Sequence, residues 1–293
     1  MTETKQTYPE PVAGLMTLGD VRDKTEWRDY LALGFTEQHV PDLCRMILDE
    51  GLWWADSESD EVWSAIHAWR TLAQLRAESA IPCLIELLGR VDDYDDDWTR
   101  TELPVVFGHL GQASLEPLRR FLADSDQGLW ARTAAAHSLV EIGQRHPALR
   151  AECVAALSGQ LQHFAQQADN FNGFLIGYLI DLQGVEAAPV IEQAFAANKV
   201  DILLQGDWED VQIYLGLLAE RTTPPPDNRA LMAKQMGFDP STMLDNLKVA
   251  VQGKLQRDGA RKTERRATAQ TKAKVKAKRQ QAKKNRKKQR KRK

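Results

Sequence analysis

Cysteine is scarce in this chain. Cys44, Cys83 and Cys153 are the three among 293 residues, about forty and seventy residues apart. That spacing forms no disulfide framework and no Cys-x-x-Cys metal pair, so reduced thiols in a reducing, cytoplasmic compartment are expected. Long apolar runs are missing too. No window approaches eighteen apolar residues without charge, so a helical membrane span is not expected. The polar stretch Met1 to Glu10 lacks the apolar segment of a signal peptide. Catalytic signatures are equally absent: no His-Glu-x-x-His, Gly-x-Ser-x-Gly, Walker loop or Rossmann glycine fingerprint is present. The six histidines, His39, His67, His109, His137, His146 and His163, include no pair at i, i+4, and no metal or cofactor is expected from them. Val, Ile and Thr form no alternating runs while Leu and Ala dominate, which favours helix over sheet.

Charge of one sign is missing from most of the chain and concentrated at its end. The net charge of −2 conceals this. Residues 254–293 hold twenty Lys or Arg against Asp258 and Glu264, a net of +18, which leaves residues 1–253 with nineteen bases against thirty-nine acids, a net of −20. Two regions of opposite sign and similar size argue for separate physical tasks.

Self-comparison gives the fold. The segments LAQLRAESAIPCLIELL from Leu72, FGHLGQASLEPLRRFL from Phe107 and LIDLQGVEAAPVIEQAF from Leu179 align, each with a leucine seven residues before a proline: Leu75 and Pro82, Leu110 and Pro117, Leu182 and Pro189. Between the last two lies ARTAAAHSLVEIGQRHPALRAECVAAL, where Ile142 takes the leucine position and Pro147 arrives early; HVPDLCRMILDE places Pro41 in an earlier half-copy. Leu103, Val106, Phe107 and Leu110 fall at i, i+3, i+4 and i+7, as do Leu175, Tyr178, Leu179 and Leu182, while Ile81, Leu84, Ile85 and Leu88 form the stripe of a second helix. Each proline belongs near the first turn of a second helix, where its missing N–H costs little. Gly111, Gly143 and Gly184 are expected as left-handed caps of first helices. Repeats of this length with two helices each specify an α-solenoid.

These residues resemble the HEAT-like repeat superfamily, including the short repeats of phycobilin lyases, over roughly residues 36–220. More narrowly, EVWSAIHAWRTLAQL, GLWARTAAAHSLVEI and GDWEDVQIYLGLL look like a bacterial family of HEAT-like proteins. The resemblance implies an all-α fold, an α-solenoid of HEAT-like helix pairs, and leaves the activity open, because solenoids host many activities. The expected organisation is an N-terminal segment and first helix (1–35), the repeat array (36–221), a Pro-rich break with capping helices (222–256) and a basic tail (257–293). The second capping helix would have Asp239 as N-cap, Pro240 in its first turn, and Leu244, Leu247 and Val251 as its stripe.

The tail combines Ala, Gln, Lys and Arg without Gly or Pro from Lys272 onward, so it is expected to be disordered alone and able to turn helical on a polyanion. Its candidate nucleic-acid contacts are Lys272, Lys274, Lys276, Lys278, Arg279, Lys283, Lys284, Arg286, Lys287, Lys288, Arg290, Lys291, Arg292 and Lys293. With no aromatic to stack on bases, binding to RNA or DNA would be sequence-tolerant and salt-sensitive. No lipidation motif accompanies the charge, so no membrane partner is expected.

The acidic run at residues 91–98 departs from a calcium loop: its acids are consecutive, no Gly follows, and Pro104 stands where a bidentate Glu belongs. It reads as a solvated loop whose Asp97 or Thr99 caps the next helix. Of the eight tryptophans, Trp63 and Trp69 read as core, whereas Trp98, Trp130 and Trp208 each stand near a helix start and are candidates for a partner-binding edge. Arg119, Arg120, Arg132, Arg145 and Arg150 form a basic cluster spread over two repeats. The reading is a non-catalytic adaptor whose acidic body binds a protein partner, favouring a basic one, and whose tail binds nucleic acid or a ribonucleoprotein. The competing class is an enzyme, bilin-lyase-like or DNA-glycosylase-like, acting in the concave groove.

Overall fold

A computed structural model describes residues 7–22, 26–94 and 97–235. Among them the regular structure is entirely helical, with no strands. The chain divides into two units, Met1–Pro226 and Asp227–Lys293, with the division at the Pro224–Pro226 run. Of the second unit, only residues 227–235 are described. The expected capping helix at Asp239, Pro240, Leu244, Leu247 and Val251, and every basic tail residue named above, lie outside the described residues.

Within residues 1–35, the described segments form 3₁₀ turns at Ala13–Thr17 and Leu31–Leu33 rather than an α-helix. The α-helices then follow in order: α1 (Val40–Ile47), α2 (Glu50–Trp53), α3 (Ser64–Leu75), α4 (Ile81–Gly89), α5 (Val91–Tyr94), α6 (Asp97–Leu110), α7 (Leu115–Ala123), α8 (Leu129–Arg145), α9 (Arg150–Leu161), α10 (Asp169–Asp181), α11 (Ala188–Ala196), α12 (Ile202–Gln205), α13 (Trp208–Tyr214) and, in the second unit, α14 (Asn228–Gln235).

The repeated sequence produces repeated pairs. In α3/α4, α6/α7, α8/α9 and α10/α11 a 3₁₀ turn leads into the second helix, over Glu78–Ala80, Gly111–Ser114, Pro147–Leu149 and Val185–Ala187. Pro41, Pro82 and Pro189 stand in the first turn of α1, α4 and α11, where no intrahelical N–H bond is lost. First helices pack on first helices, α3 on α6, α6 on α8 and α8 on α10. Second helices do likewise, α1 on α4, α4 on α7, α7 on α9 and α9 on α11. The apolar stripes meet between the two layers: Leu103, Val106, Phe107, Leu110, Leu175, Leu179, Leu182, Ile81, Leu84 and Leu88 are all buried. Each large apolar side chain so buried contributes about 1.5–3 kcal/mol. Tyr178 and Ile85 are half-buried at the margins of their stripes.

Two expectations require correction. Of the three cap glycines, Gly111 alone is left-handed, at φ +64°. In the other turns Arg76 and Gln183 adopt φ of +51°, so Gly184 follows the left-handed residue instead of being it. Gly143 is inside α8, and a Cβ there would lie 2.8 Å from Leu182 Cδ2; its small size admits a neighbouring repeat. The cysteines are the second correction. Cys44 on α1 and Cys83 on α4 form a disulfide across 39 residues of sequence. That separation is about one repeat, and successive second helices are spatial neighbours, so the spacing that spoke against a bridge creates one. Cys153 is a buried free thiol whose pKa burial raises to about 11.

Candidate functional site

Aromatic side chains stand at or near the starts of successive first helices, and packing lines them along one edge. Trp63, at the entry to α3, meets Trp98 of α6 edge-on with ring centroids 5.8 Å apart. The Arg22 guanidinium lies 5.0 Å over Trp63. In the same turn as Trp98, Arg100 places its guanidinium 4.7 Å over Trp130 of α8. Trp130 in turn meets Phe174 of α10 edge-on at 5.8 Å. The result is a ladder of ring–ring and cation–ring contacts along four first helices, with contacts worth about 0.5–2 kcal/mol each. Trp98 is half-buried, while Trp130 is 37% exposed and presents its indole to solvent.

Of the three tryptophans expected to form an edge, Trp98 and Trp130 belong to it, Trp98 against Trp63 and Trp130 under Arg100 from the same turn of α6 as Trp98. Trp208 is not: it starts α13 and packs on Phe195 of α11 at 6.0 Å. Sequence reading missed Trp63 and Phe174 as members. Trp63 stands 35 residues before Trp98, the same step that relates Leu75 to Leu110, and this was the available signal.

The acidic run positions the exposed rung. Val91–Tyr94 is a helical turn, not the loop expected there. Asp92 crosses to the next repeat, its carboxylate accepting the backbone N–H groups of Trp130 at 3.1 Å and Ala131 at 2.8 Å. An anion at the start of α8 satisfies amides that lack intrahelical acceptors and complements the helix dipole. Gly128 leaves space for that carboxylate, since a Cβ there would approach Asp92 Cγ to 2.1 Å. Asp97 pairs with Arg100 on α6. Among the described residues, no group of three or more His, Cys, Asp or Glu is placed to hold a metal ion.

Polar contacts fix the N-terminal side of the first-helix layer. Glu102 of α6 accepts from Trp69 Nε1 at 2.9 Å and Arg70 Nε at 2.9 Å, and pairs with Arg70 through its second oxygen. Arg70 and Glu102 side chains are 4% and 14% exposed. Burial is the largest influence on the Arg70 pKa and lowers it, but the bond to Glu102, the charge of that carboxylate and Tyr30 together outweigh it, and the net shift is upward. Trp27 covers this pair, 5.4 Å from the Arg70 guanidinium, and stacks on His109 at 5.5 Å. His67 is a satisfied core histidine. Its Nε2 donates to the Gly19 carbonyl at 2.9 Å, which leaves Nδ1 to accept from the Tyr30 hydroxyl at 2.7 Å.

Farther along the layer, His137 of α8 and Tyr178 of α10 stack in parallel planes with centroids 5.3 Å apart. Burial lowers the His137 pKa, raises Tyr178 to about 12 and raises Asp181. His109 is lowered by burial first and by Arg145 second. These shifts follow from helix packing over half-buried rings.

The basic cluster is divided by the fold. Arg132 donates to the Leu122 carbonyl and lies over Phe171, Arg145 pairs with Glu141, and Arg150 reaches the Leu182 carbonyl and Glu186. Arg119 and Arg120 remain at the surface of α7.

Among the described residues, no helix is long and apolar enough to cross a membrane. No curated protein and no solved structure matches the chain. A family model described as "Protein of unknown function (DUF1186)" matches residues 49–223, a span running from the start of α2 past the end of α13. The match covers more than half of the sequence, and the chain belongs to that family.

Proposed function

We propose that the protein is a non-catalytic adaptor built as a HEAT-like α-solenoid. Its body captures a protein partner at the ladder edge, and its Lys/Arg-rich tail holds nucleic acid or a ribonucleoprotein without reading sequence. The observation that carries this reading is the segregation of charge, −20 over residues 1–253 against +18 over residues 254–293. A body of that charge repels phosphates and speeds encounter with basic proteins. At the edge, Trp130 is 37% exposed and already carries the Arg100 guanidinium over its ring, an indole environment suited to a cation, and a partner's Lys or Arg side chain would meet its remaining exposed surface.

The test is anisotropy of a labelled Lys/Arg-rich peptide titrated with full-length protein and with Trp130→Ala. Wild type is expected to bind with affinity falling as salt rises, and Trp130→Ala to bind roughly tenfold more weakly, the loss of one desolvated cation–π contact. Equal binding by both proteins overturns the assignment of the edge.

A further inference from the structure

We infer that Cys44 and Cys83 form a reversible thiol–disulfide exchange site, whose redox state sets how firmly the N-terminal segments 7–22 and 26–48 are held on the helix pairs that follow. The partner in the exchange is a low-molecular-weight thiol or disulfide.

The position of the bridge carries this inference. Cys44 lies on α1 and Cys83 on α4, while the family model begins at residue 49. The bridge therefore joins a helix outside the matched span to the first helix pair inside it. Along α1, Val40, Leu43, Met46 and Ile47 are buried, whereas Cys44 is partly buried at the margin of that stripe. Cys83 is likewise partly buried, between exposed Pro82 and buried Leu84. Both bridge residues stand at the rim of the α1–α4 seam, where a small thiol has access, and accessible disulfides are the ones that exchange. Cys153 is the contrast, a fully buried thiol whose pKa burial raises to about 11.

The contacts of α1 show what the bridge fastens. Arg45, next to Cys44, donates to the Thr7 carbonyl at 2.8 Å and lies 4.7 Å over the Tyr8 ring. The Tyr8 hydroxyl donates to Asp49 at 2.6 Å. Farther along, the N-terminal segments supply Arg22, over Trp63, and Trp27, over Arg70. Between α4 and α1 the bridge is supplemented by Arg90, which donates to the Leu48 carbonyl at 3.1 Å. A closed bridge pins α1 to α4 and gives Thr7 and Tyr8 a fixed anchor. An open one lets α1 and the residues docked on it open locally while later helix pairs stay folded, because stacked repeats contact chiefly their neighbours.

Reduction consumes two equivalents of thiol. One thiolate attacks a sulfur of the bridge, forming a mixed disulfide and expelling the other cysteine as a thiolate. A second thiolate attacks the outer sulfur of the mixed disulfide, freeing the remaining cysteine and forming the small disulfide. Two electrons pass from the small thiols to the bridge, and two protons end on Cys44 and Cys83. Oxidation is the reverse.

The test equilibrates full-length protein with reduced and oxidised glutathione over a series of ratios. Alkylation and mass spectrometry count free Cys44, Cys83 and Cys153, and hydrogen exchange is followed in the same samples. The expected result is that Cys44 and Cys83 open together, close again when oxidised glutathione is restored, and leave Cys153 unlabelled. Peptides from residues 7–22 and 26–48 are expected to exchange about tenfold faster in the reduced protein, with α8 and α10 within twofold. Cys44→Ser/Cys83→Ser, without glutathione, is expected to exchange as the reduced protein does. A bridge that stays closed at every ratio, as structural disulfides do, or that fails to re-form, would overturn the proposal. So would exchange of the N-terminal peptides that is equal in both forms, or that quickens by the same factor as in α8 and α10.

Discussion

The carboxylate of Asp92 accepts the backbone N–H of Trp130 across 38 residues of sequence, holding the start of α8 and with it the exposed rung of the ladder. Asp92→Ala removes the acceptor of two α8 amides and is expected to cost about 1–2 kcal/mol, a fall of a few degrees in Tm by calorimetry. Gly128→Ala is expected to cost more, because its Cβ collides with the Asp92 carboxylate. In the double variant that collision is gone, so the two losses should fall short of adding. Strict additivity would contradict this relationship.

The Arg70–Glu102 pair makes a second prediction. Glu102→Ala leaves a nearly buried guanidinium without its carboxylate and is expected to destabilise by about 3–5 kcal/mol in urea unfolding. Replacing both partners with apolar residues of similar volume is expected to recover most of that loss. A Glu102→Ala cost below about 1 kcal/mol, typical of an exposed pair, would show the pair to be solvated.

The Cys44–Cys83 bridge closes a loop of 39 residues in the unfolded chain. Chain entropy assigns such a loop about 4 kcal/mol. Thermal unfolding with and without a dithiol reductant is expected to show a clear fall in Tm on reduction, and Cys44→Ser should behave as the reduced protein does. A Tm indifferent to both treatments would contradict the bridge.

Acid should loosen the contacts that hold α13. Arg221 bonds Asp207 and Asp210, and Glu209 accepts from Thr222 and Thr223. The bond to Arg221 holds the Asp207 pKa below the usual carboxylate range, and the Thr222 hydroxyl foremost lowers Glu209 to about 2. Carboxylates depressed in the folded state stabilise fully above their unfolded values and lose that contribution as pH falls through the folded ones. For Glu209 the window runs from 4.5 down to about 2. Hydrogen exchange of α13 amides, corrected for intrinsic rates, is expected to hold its protection down to pH 4.5 and lose it as pH falls from there toward 2, with a smaller pH effect in Arg221→Ala. Equal pH dependence in both proteins would contradict the clamp.

The helix pairs were legible because periodicity is local: a leucine seven residues before a proline records a helix end and a helix start, and Leu103, Phe107 and Leu110 are buried as their phase requires. What escaped the sequence depends on which repeats touch. Cys44 and Cys83 look distant until one repeat length is recognised as adjacency. Asp92 reads as one more acid in a solvated run because its partners, the Trp130 and Ala131 amides, belong to the next repeat. The tryptophan edge was half legible: helix-start position identified Trp98 and Trp130, but the same criterion admitted Trp208, whose contact is with Phe195. The basic cluster was not legible as divided, because only packing shows that Arg132 and Arg150 reach carbonyls of other elements while Arg119, Arg120 and Arg145 pair with carboxylates of their own helices.

The division of tasks between body and tail is tested most directly by comparing full-length protein with residues 1–253, matched for helical content, in binding generic RNA and duplex DNA across a salt series. The expected result is binding by full-length protein alone, with the logarithm of affinity falling linearly against the logarithm of salt, by about 0.7–0.9 for each phosphate neutralised. Binding by residues 1–253 as tight as by the full chain, or no binding by either at low salt, would contradict the account.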